Sequence, residues 1–265
     1  MVHAHSSWGE GDTGIRRVPP IALIGCGYWG KNLCRNLQKF GALAAVFDAT
    51  KNGQSIALSI APETRMSASF DEVLKDDRIQ GIALATPAET HAELAIQGLQ
   101  AGKDVFVEKP MALTLDDAEK MKRIAEETNR ILMVGHLLEY HPAVLKLREM
   151  IASGELGKIN YIYSNRLNFG KIRTAENALW SFAPHDVAVI LRLLAQSPIE
   201  VSATAGSYLN ESISDTTISS IRFADETRAH IFVSWLHPFK EHRFIIVGSK
   251  GMIHFEDTGD KKPLI

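Results

Sequence analysis

The sequence predicts an α/β protein: a doubly wound parallel sheet towards its N-terminal end, then a second domain of α+β type with a mostly antiparallel sheet. Three observations carry this. A buried apolar run, Ile21 to Ile24, meets Gly25, Gly27 and Gly30 in G-x-G-x-x-G spacing ahead of a helical pattern. Short apolar runs then alternate with helical stretches of about a dozen residues as far as Val134, which is the rhythm of right-handed βαβ crossovers. Past about residue 140 that rhythm gives way to strand patterns joined by short turns, and short connections imply antiparallel pairing.

Taken in order, residues 1–19 mix His, Ser, Gly and Arg without an apolar run; they read as a mobile extension, neither a signal peptide nor a membrane segment. The first strand leads through the glycines into a helix over about 29–40, and the second strand, 42–47, ends at Asp48. Residues 51–68 hold a weaker helix and a connection around Pro62. Ser69 with Glu72, and Thr90 with Glu93, have capping-box spacing and open helices; the second carries Leu94, Ala95 and Leu99 inward and stops at Gly102. Strands are predicted at 81–86, 104–107 and 131–134, with a helix from Thr114 to about Thr128. The first domain therefore spans residues 20–140 and the second 141–265.

In the second domain Pro142 opens a helix to about Ile151, and a strand covers about 159–167. A loop rich in Asn, Arg and Lys, Asn168 to Asn177, leads to a helix near His185 to Leu194. Strands follow at about 199–208, 216–223, 228–235, 242–248 and 251–256, with turn signals at Asp225-Glu226 and Gly248–Gly251. One sheet face would be covered by helices. On the other, alternating Ala229, Ile231, Val233 and Trp235 are expected to form a subunit interface, because a monomer rarely exposes a large apolar sheet. A homodimer or homotetramer through this sheet is the expectation.

The glycine turn sets the first chemical expectation. Gly25 would allow the tight turn, Gly27 close approach of a pyrophosphate, and Gly30 close packing of helix on strand. The helix N-terminus adds N–H groups and partial positive charge for an anion. Asp48, about 20 residues beyond the turn, is placed to accept from a ribose 2′-OH and would repel a 2′-phosphate, which favours NAD over NADP.

Bulk properties narrow the partners. With 45% hydrophobic residues in 265, the chain can bury a substantial core. The 29 basic and 31 acidic residues leave a net charge of −2, which does not suit a nucleic-acid surface. Cys26 and Cys34 are the only cysteines, and both fall in one strand-turn-helix unit, a pattern that fits a reducing cytoplasm better than a disulfide framework. No apolar stretch reaches the roughly 20 residues that span a bilayer.

Ligands of open α/β sheets bind outside the carboxyl ends of the strands, where Thr86-Pro87, Glu108-Lys109-Pro110 and Gly135-His136 stand. A partly desolvated Lys109 would lose affinity for its proton and could take one from a substrate hydroxyl. Pro110 biases Lys109 to an extended backbone and permits a cis bond. The same position also suits a solvated surface lysine. His185, opening an apolar helix, could share the proton; equally, it and Asp186 could simply cap that helix. No histidine spacing suits a metal: His136 and His141 do not share a helical face.

The wider pattern resembles the glucose-fructose oxidoreductase / inositol dehydrogenase / rhizopine catabolism (Gfo/Idh/MocA) family. The match runs from about Ile21 to Phe255, through Gly25-Cys-Gly-Tyr-Trp-Gly30, Thr86-Pro87 with His91, Glu108-Lys-Pro110, Val134-Gly-His136 and the helix of His185. The resemblance implies a Rossmann domain and NAD(P)-dependent oxidation or reduction at a hydroxyl carbon, usually of a sugar or cyclitol, with Lys109 and His185 as the catalytic pair. Cofactor contacts are then expected from Gly25, Gly27, Tyr28, Trp29, Gly30, Asp48, Thr86, Pro87, His91, Glu108 and Lys109.

Two departures qualify the match. Many members carry an aspartate four residues before the histidine, where this chain has Ser181, so either the proton relay is altered or Asp186 substitutes. Members also usually run some tens of residues further, so the second domain is expected to lack its last part. The run Trp180–Asp186, with Arg166, Asn168, Arg173 and Asn177 upstream and His136 nearby, resembles a subgroup associated with nucleotide-sugar pathways. Guanidinium groups suit an anionic, polyhydroxylated substrate, although a solvated polar loop has the same composition and Trp180 suits the core as well as a sugar. A non-catalytic sensor of dinucleotide and sugar is the alternative function.

Overall fold

The computed structural model describes residues 18–170, 172–173, 176–258 and 264–265; the N-terminal extension falls outside them as far as residue 17. The chain divides into two compact units, one of residues up to Val107 with Thr114–Met133, the other of Glu108–Leu113 with Val134–Ile265. The short Glu108–Leu113 segment, which carries Lys109, thus groups with the second unit.

In the first unit the elements are β1 (Ile21–Ile24), α1 (Gly30–Lys39), β2 (Leu43–Phe47), α2 (Lys51–Ile60), α3 (Phe70–Lys75), β3 (Gly81–Leu84), α4 (His91–Gln100), β4 (Asp104–Val107), α5 (Leu115–Glu127) and β5 (Leu132–Val134). The sheet runs β2-β1-β3-β4-β5, and β1 pairs in parallel with both β2 and β3. Ile24 is level with Phe47 and Leu84, and Leu84 with Val107, so these strands end together. The Rossmann arrangement follows from runs such as Gly81–Leu84, buried along its whole length, because strands covered on both faces need no polar alternation.

Caps explain most helix starts. Ser69 Oγ accepts from Glu72 N at 3.1 Å while Glu72 reaches back to Ala68 N at 2.7 Å, and Thr114 Oγ1 accepts from Asp117 N at 3.1 Å. The second expected capping box does not form. Residues Ala88–Thr90 make a short 3-10 turn first, and Thr90 Oγ1 points back to Pro87 O at 2.8 Å. Buried Lys103 escaped the sequence reading: its ammonium donates to the carbonyls of Asp76 and Ile79, both at 2.8 Å, which closes the turn before β3. Cys26 and Cys34 are free, buried thiols in the core around β1.

The second unit comprises α6 (Pro142–Ala152), β6 (Ile159–Phe169), α7 (Ala178–Leu194), β7 (Pro198–Gly206), β8 (Thr216–Phe223), β9 (Arg228–Ser234), β10 (Leu236–Gly248) and β11 (Met252–Glu256). Its sheet runs β11-β10-β6-β9-β8-β7 and is mostly antiparallel, with one parallel pair, β6 with β9. One residue separates β9 from β10, yet they form no hairpin. Ser234 pairs with Leu167 on one side of β6 and Leu236 with Phe169 on the other, so the chain crosses the end of β6 at Trp235. That indole is fully buried, and its N–H donates to Asp215, satisfying the polar edge that burial would otherwise penalise.

The expected interface residues face the opposite way. Ala229, Ile231, Val233 and Trp235 are buried in the core with Leu147, Val189 and Ile190 of the helices. Alternation tells which residues share a face but not which face the helices cover. Phe232 and Ile218, opposite each other in the register, lie on the other face, where Ile218 is exposed.

Helix α7 also begins earlier than expected, at Ala178, with Asn177 as N-cap accepting from Trp180 N at 3.0 Å. Pro184 lies inside it; lacking an N–H, it leaves the carbonyl of Trp180 without its usual helical donor. His185, expected to open the helix, therefore lies inside it.

Candidate functional site

The phosphate turn of the first unit is built as its spacing requires. Gly25 has φ +87, and a Cβ there would sit 2.9 Å from Ala85 O. At Gly30 a Cβ would come within 2.1 Å of Gly25 O, so α1 packs against the turn only through glycine. Gly27 is different: a Cβ would meet nothing within 4 Å, leaving the open approach that a pyrophosphate needs. No side chain caps α1 and no acid stands in its first turn, so its partial positive charge faces that space uncancelled. Tyr28 is 83% exposed, with Lys31 Nζ 5.3 Å from its ring centroid, and Trp29 is also exposed.

Asp48 ends β2 with its carboxylate turned inward. Oδ2 accepts from Cys26 N at 2.7 Å, and Oδ1 from Thr50 N and Oγ1 at 2.8 and 2.7 Å. A carboxylate has about four lone-pair sites, so one remains for a ribose hydroxyl on a group already fixed to the turn. The arrangement depends on a glycine that the sequence reading passed over: a Cβ at Gly53 would fall 2.0 Å from Asp48 Oδ2.

Thr86 and Pro87 follow β3. His91, expected among the cofactor contacts, is only 1% exposed and bonds Thr86 O through Nε2 at 2.9 Å. That bond holds the Thr86-Pro87 segment, and burial leaves the ring little open surface.

In the second unit, Lys109, His136 and His185 come together. The Lys109-Pro110 peptide is cis. Lys109 Nζ donates to the carbonyl of Ser181 at 3.2 Å, one residue past the carbonyl that Pro184 leaves without its helical donor. Burial pushes the Lys109 ammonium below the ordinary lysine range, with Glu176 and Glu108 opposing that shift and Arg173 and Arg166 adding to it. Glu108 is buried beside the backbone of Gly135. Burial lowers His136 as well. His185 is held down to about 3 by burial and by the positive charges of Arg166 and Lys109, so near neutral pH its imidazole carries no charge. The Nδ1 atoms of His136 and His185 are buried with no partner among the described residues.

The residues expected to bind substrate divide. Arg166 and Asp186 bind each other: Nε to Oδ2 at 2.8 Å and Nη2 to Oδ1 at 3.0 Å, with 8% and 2% exposure. The guanidinium that was to grip an anion is thus consumed by a helix carboxylate, and Asp186 is not available to replace the aspartate absent at position 181. His242, opposite Arg166 in the sheet, lies 3.4 Å from its Nη1 and is depressed to about 4, chiefly by burial. Asn177 is a helix cap. Asn168 stands on the strand two residues beyond Arg166, with Oδ1 buried and unpartnered among the described residues. Arg173 and Trp180 are exposed, and Arg173 Nε lies 3.7 Å from Glu176.

Sequence reasoning missed Glu176 and His242. A signal existed for the first, since Glu176 is the one acid in an otherwise basic and amide-rich loop. None existed for His242, because its significance comes from a cross-strand neighbour.

Known proteins bear out this architecture. Residues 20–136 match the model of the oxidoreductase family with an NAD-binding Rossmann fold, GFO_IDH_MocA, and residues 144–254 match the GFO/IDH/MocA C-terminal domain. The chain is 27% identical over 251 residues to 2,7-anhydro-N-acetylneuraminate hydratase of Mediterraneibacter gnavus, covering 89% of this chain and 66% of that one. It is 29% identical over 184 residues to UDP-N-acetylglucosamine 3-dehydrogenase of Acidithiobacillus ferrooxidans, covering 68% and 56%. Among solved structures, GenD2 from gentamicin A biosynthesis, in complex with NAD, shares the fold with TM-score 0.83 at 23% identity, over 94% of this chain and 75% of that one. The chain spans about two thirds of the length of the hydratase and less of the dehydrogenase. With the NAD-binding model on its first unit and the partner domain's model on its second, the chain belongs to the GFO/IDH/MocA oxidoreductase family.

Proposed function

We propose that the protein is an NAD-dependent dehydrogenase that interconverts a hydroxyl and a carbonyl on a sugar, with a nucleotide-activated sugar as the substrate class. One observation carries the reading: a lysine whose surroundings weaken its hold on a proton lies in the same cluster as a histidine kept neutral. In oxidation, Lys109 in its neutral form takes the hydroxyl proton, and as the C–O bond becomes C=O the hydrogen on that carbon leaves as hydride, which the dinucleotide accepts when bound. His185 cannot hold the proton near neutral pH. Its neutral ring instead bonds the hydroxyl and fixes its aim, and in the reverse direction the Lys109 ammonium returns the proton.

The sugar is supported by the family, and its nucleotide by the UDP-N-acetylglucosamine 3-dehydrogenase relative and by the exposed Arg173 and Trp180. The inward acid at the end of β2 favours NAD over NADP. The partners proposed are small molecules, not nucleic acid or membrane; no helix among the described residues is long and apolar enough to cross a bilayer. Self-association through the outer sheet face, as a homodimer or homotetramer, and residence in the cytoplasm complete the proposal.

The test is incubation with NAD and a panel of sugars and nucleotide sugars, following the absorbance of reduced nicotinamide and the product mass. A product lighter by two hydrogens, formed with equimolar reduced nicotinamide, is expected. Dinucleotide binding with no reaction across the panel would favour the sensor. A product heavier by one water with no net reduced nicotinamide would move the reading towards hydration, the activity of the Mediterraneibacter gnavus relative.

A further inference from the structure

We infer that Glu176 is a positioning residue for Lys109, its carboxylate fixed beside the lysine by the hydroxyl of Ser181. The inference rests on the reading of Lys109 as the proton-transfer group. Ser181 makes two links at once: its carbonyl accepts from Lys109 Nζ at 3.2 Å, and its hydroxyl donates to Glu176 Oε1 at 2.8 Å. Both ends of one buried residue therefore tie the lysine to the acid.

The other nearby acids are differently employed. Asp186 has both oxygens on Arg166. Glu108 Oε2 accepts from the main-chain N–H of Lys109 itself, at 3.3 Å, and its carboxyl group lies against Gly135. Glu176 comes from the loop before α7, with its side chain 17% exposed and Arg173 Nε 3.7 Å away. Of the charges acting on Lys109, that of Glu176 is the largest opposing its burial, ahead of Glu108; Arg173 and Arg166 act the other way, and His136 and His185 lie close enough to feel the lysine. A buried amine without such a partner would release its proton too readily to return it. Glu176 thus keeps Lys109 able to work in both directions, without touching substrate.

The test titrates Lys109 directly, by the pH dependence of acetic anhydride labelling read on its peptide by mass spectrometry, in the parent and in Glu176→Gln. Glutamine keeps the shape and the bond from Ser181 but removes the charge. The midpoint should fall by about one pH unit, and Ser181→Asp placed in the Glu176→Gln background should restore it, with melting temperature and NAD affinity unchanged throughout. An unmoved midpoint in a folded Glu176→Gln protein overturns the inference. Because labelling needs no turnover, that result is distinct from a failure of the dehydrogenase reading, which the substrate panel alone decides. In an active parent, the pH at which kcat/KM levels off should move with the labelling midpoint.

Discussion

Replacing Lys109 with methionine is expected to remove the proposed sugar oxidation, lowering kcat by about 10²- to 10⁴-fold, the range for loss of a general base, while the protein still folds and binds NAD. Methionine keeps the buried stem and loses only the amine. Among the described residues the amine donates to the carbonyl of Ser181 at 3.2 Å, a single bond whose loss costs folding little. The glycine turn and Asp48, which hold the dinucleotide in this account, belong to the other compact unit, so affinity for NAD should stay within a few-fold of the parent. Stopped-flow absorbance of reduced nicotinamide, together with a fluorescence titration of NAD, separates the two effects. Parent-like turnover in the variant would remove Lys109 from the chemistry.

Asp186→Leu produces the second large effect, and on stability instead of rate. Arg166 and Asp186 are buried and bidentate; removing the carboxylate leaves a guanidinium in the core with the weak acceptor of His242 beside it and the charge of Asp257 still acting on it, and breaking such a pair costs about 3–5 kcal/mol. The double variant Arg166→Met/Asp186→Leu should recover most of that loss, because it removes both charges and keeps the volume. Urea unfolding followed by circular dichroism measures each. If Asp186→Leu is as stable as the parent and only weakens substrate binding, the pair belongs to the substrate after all.

Much of this was legible in the sequence, for physical reasons that particular residues make plain. The glycine turn was readable because each glycine answers a local constraint: a positive φ at Gly25, contact with Gly25 O at Gly30, and open space at Gly27. The parallel sheet was readable because strands covered on both faces leave unbroken apolar runs. Lys109 and His185 stood out by position, at a strand end and on an apolar helix.

What escaped depends on long-range contacts. Arg166 and Asp186 belong to a strand and a helix, and no spacing rule pairs them, so an arginine in a polar stretch passed for a ligand anchor. The Trp235 crossing looked like a hairpin because sequence reports only the length of a connection, not the strand lying between its ends. Glu176 was visible as the one acid of its loop, but its meaning comes through Ser181, whose carbonyl meets Lys109 from 72 residues away in the chain, and Ser181 drew notice only as the residue lacking a carboxylate.

The pH dependence of kcat/KM for sugar oxidation tests the assignment of the proton acceptor most directly. Burial lowers the proton affinity of Lys109, and oxidation needs the neutral amine, so the rate should rise with pH along one ionisation and level off below the ordinary lysine value of about 10.4. His185, depressed to about 3, should add no limb near neutrality. A single rising limb that is lost in Lys109→Met is the expected result; a limb at the ordinary imidazole value of about 6.5, abolished by His185→Gln and untouched at Lys109, would contradict the account.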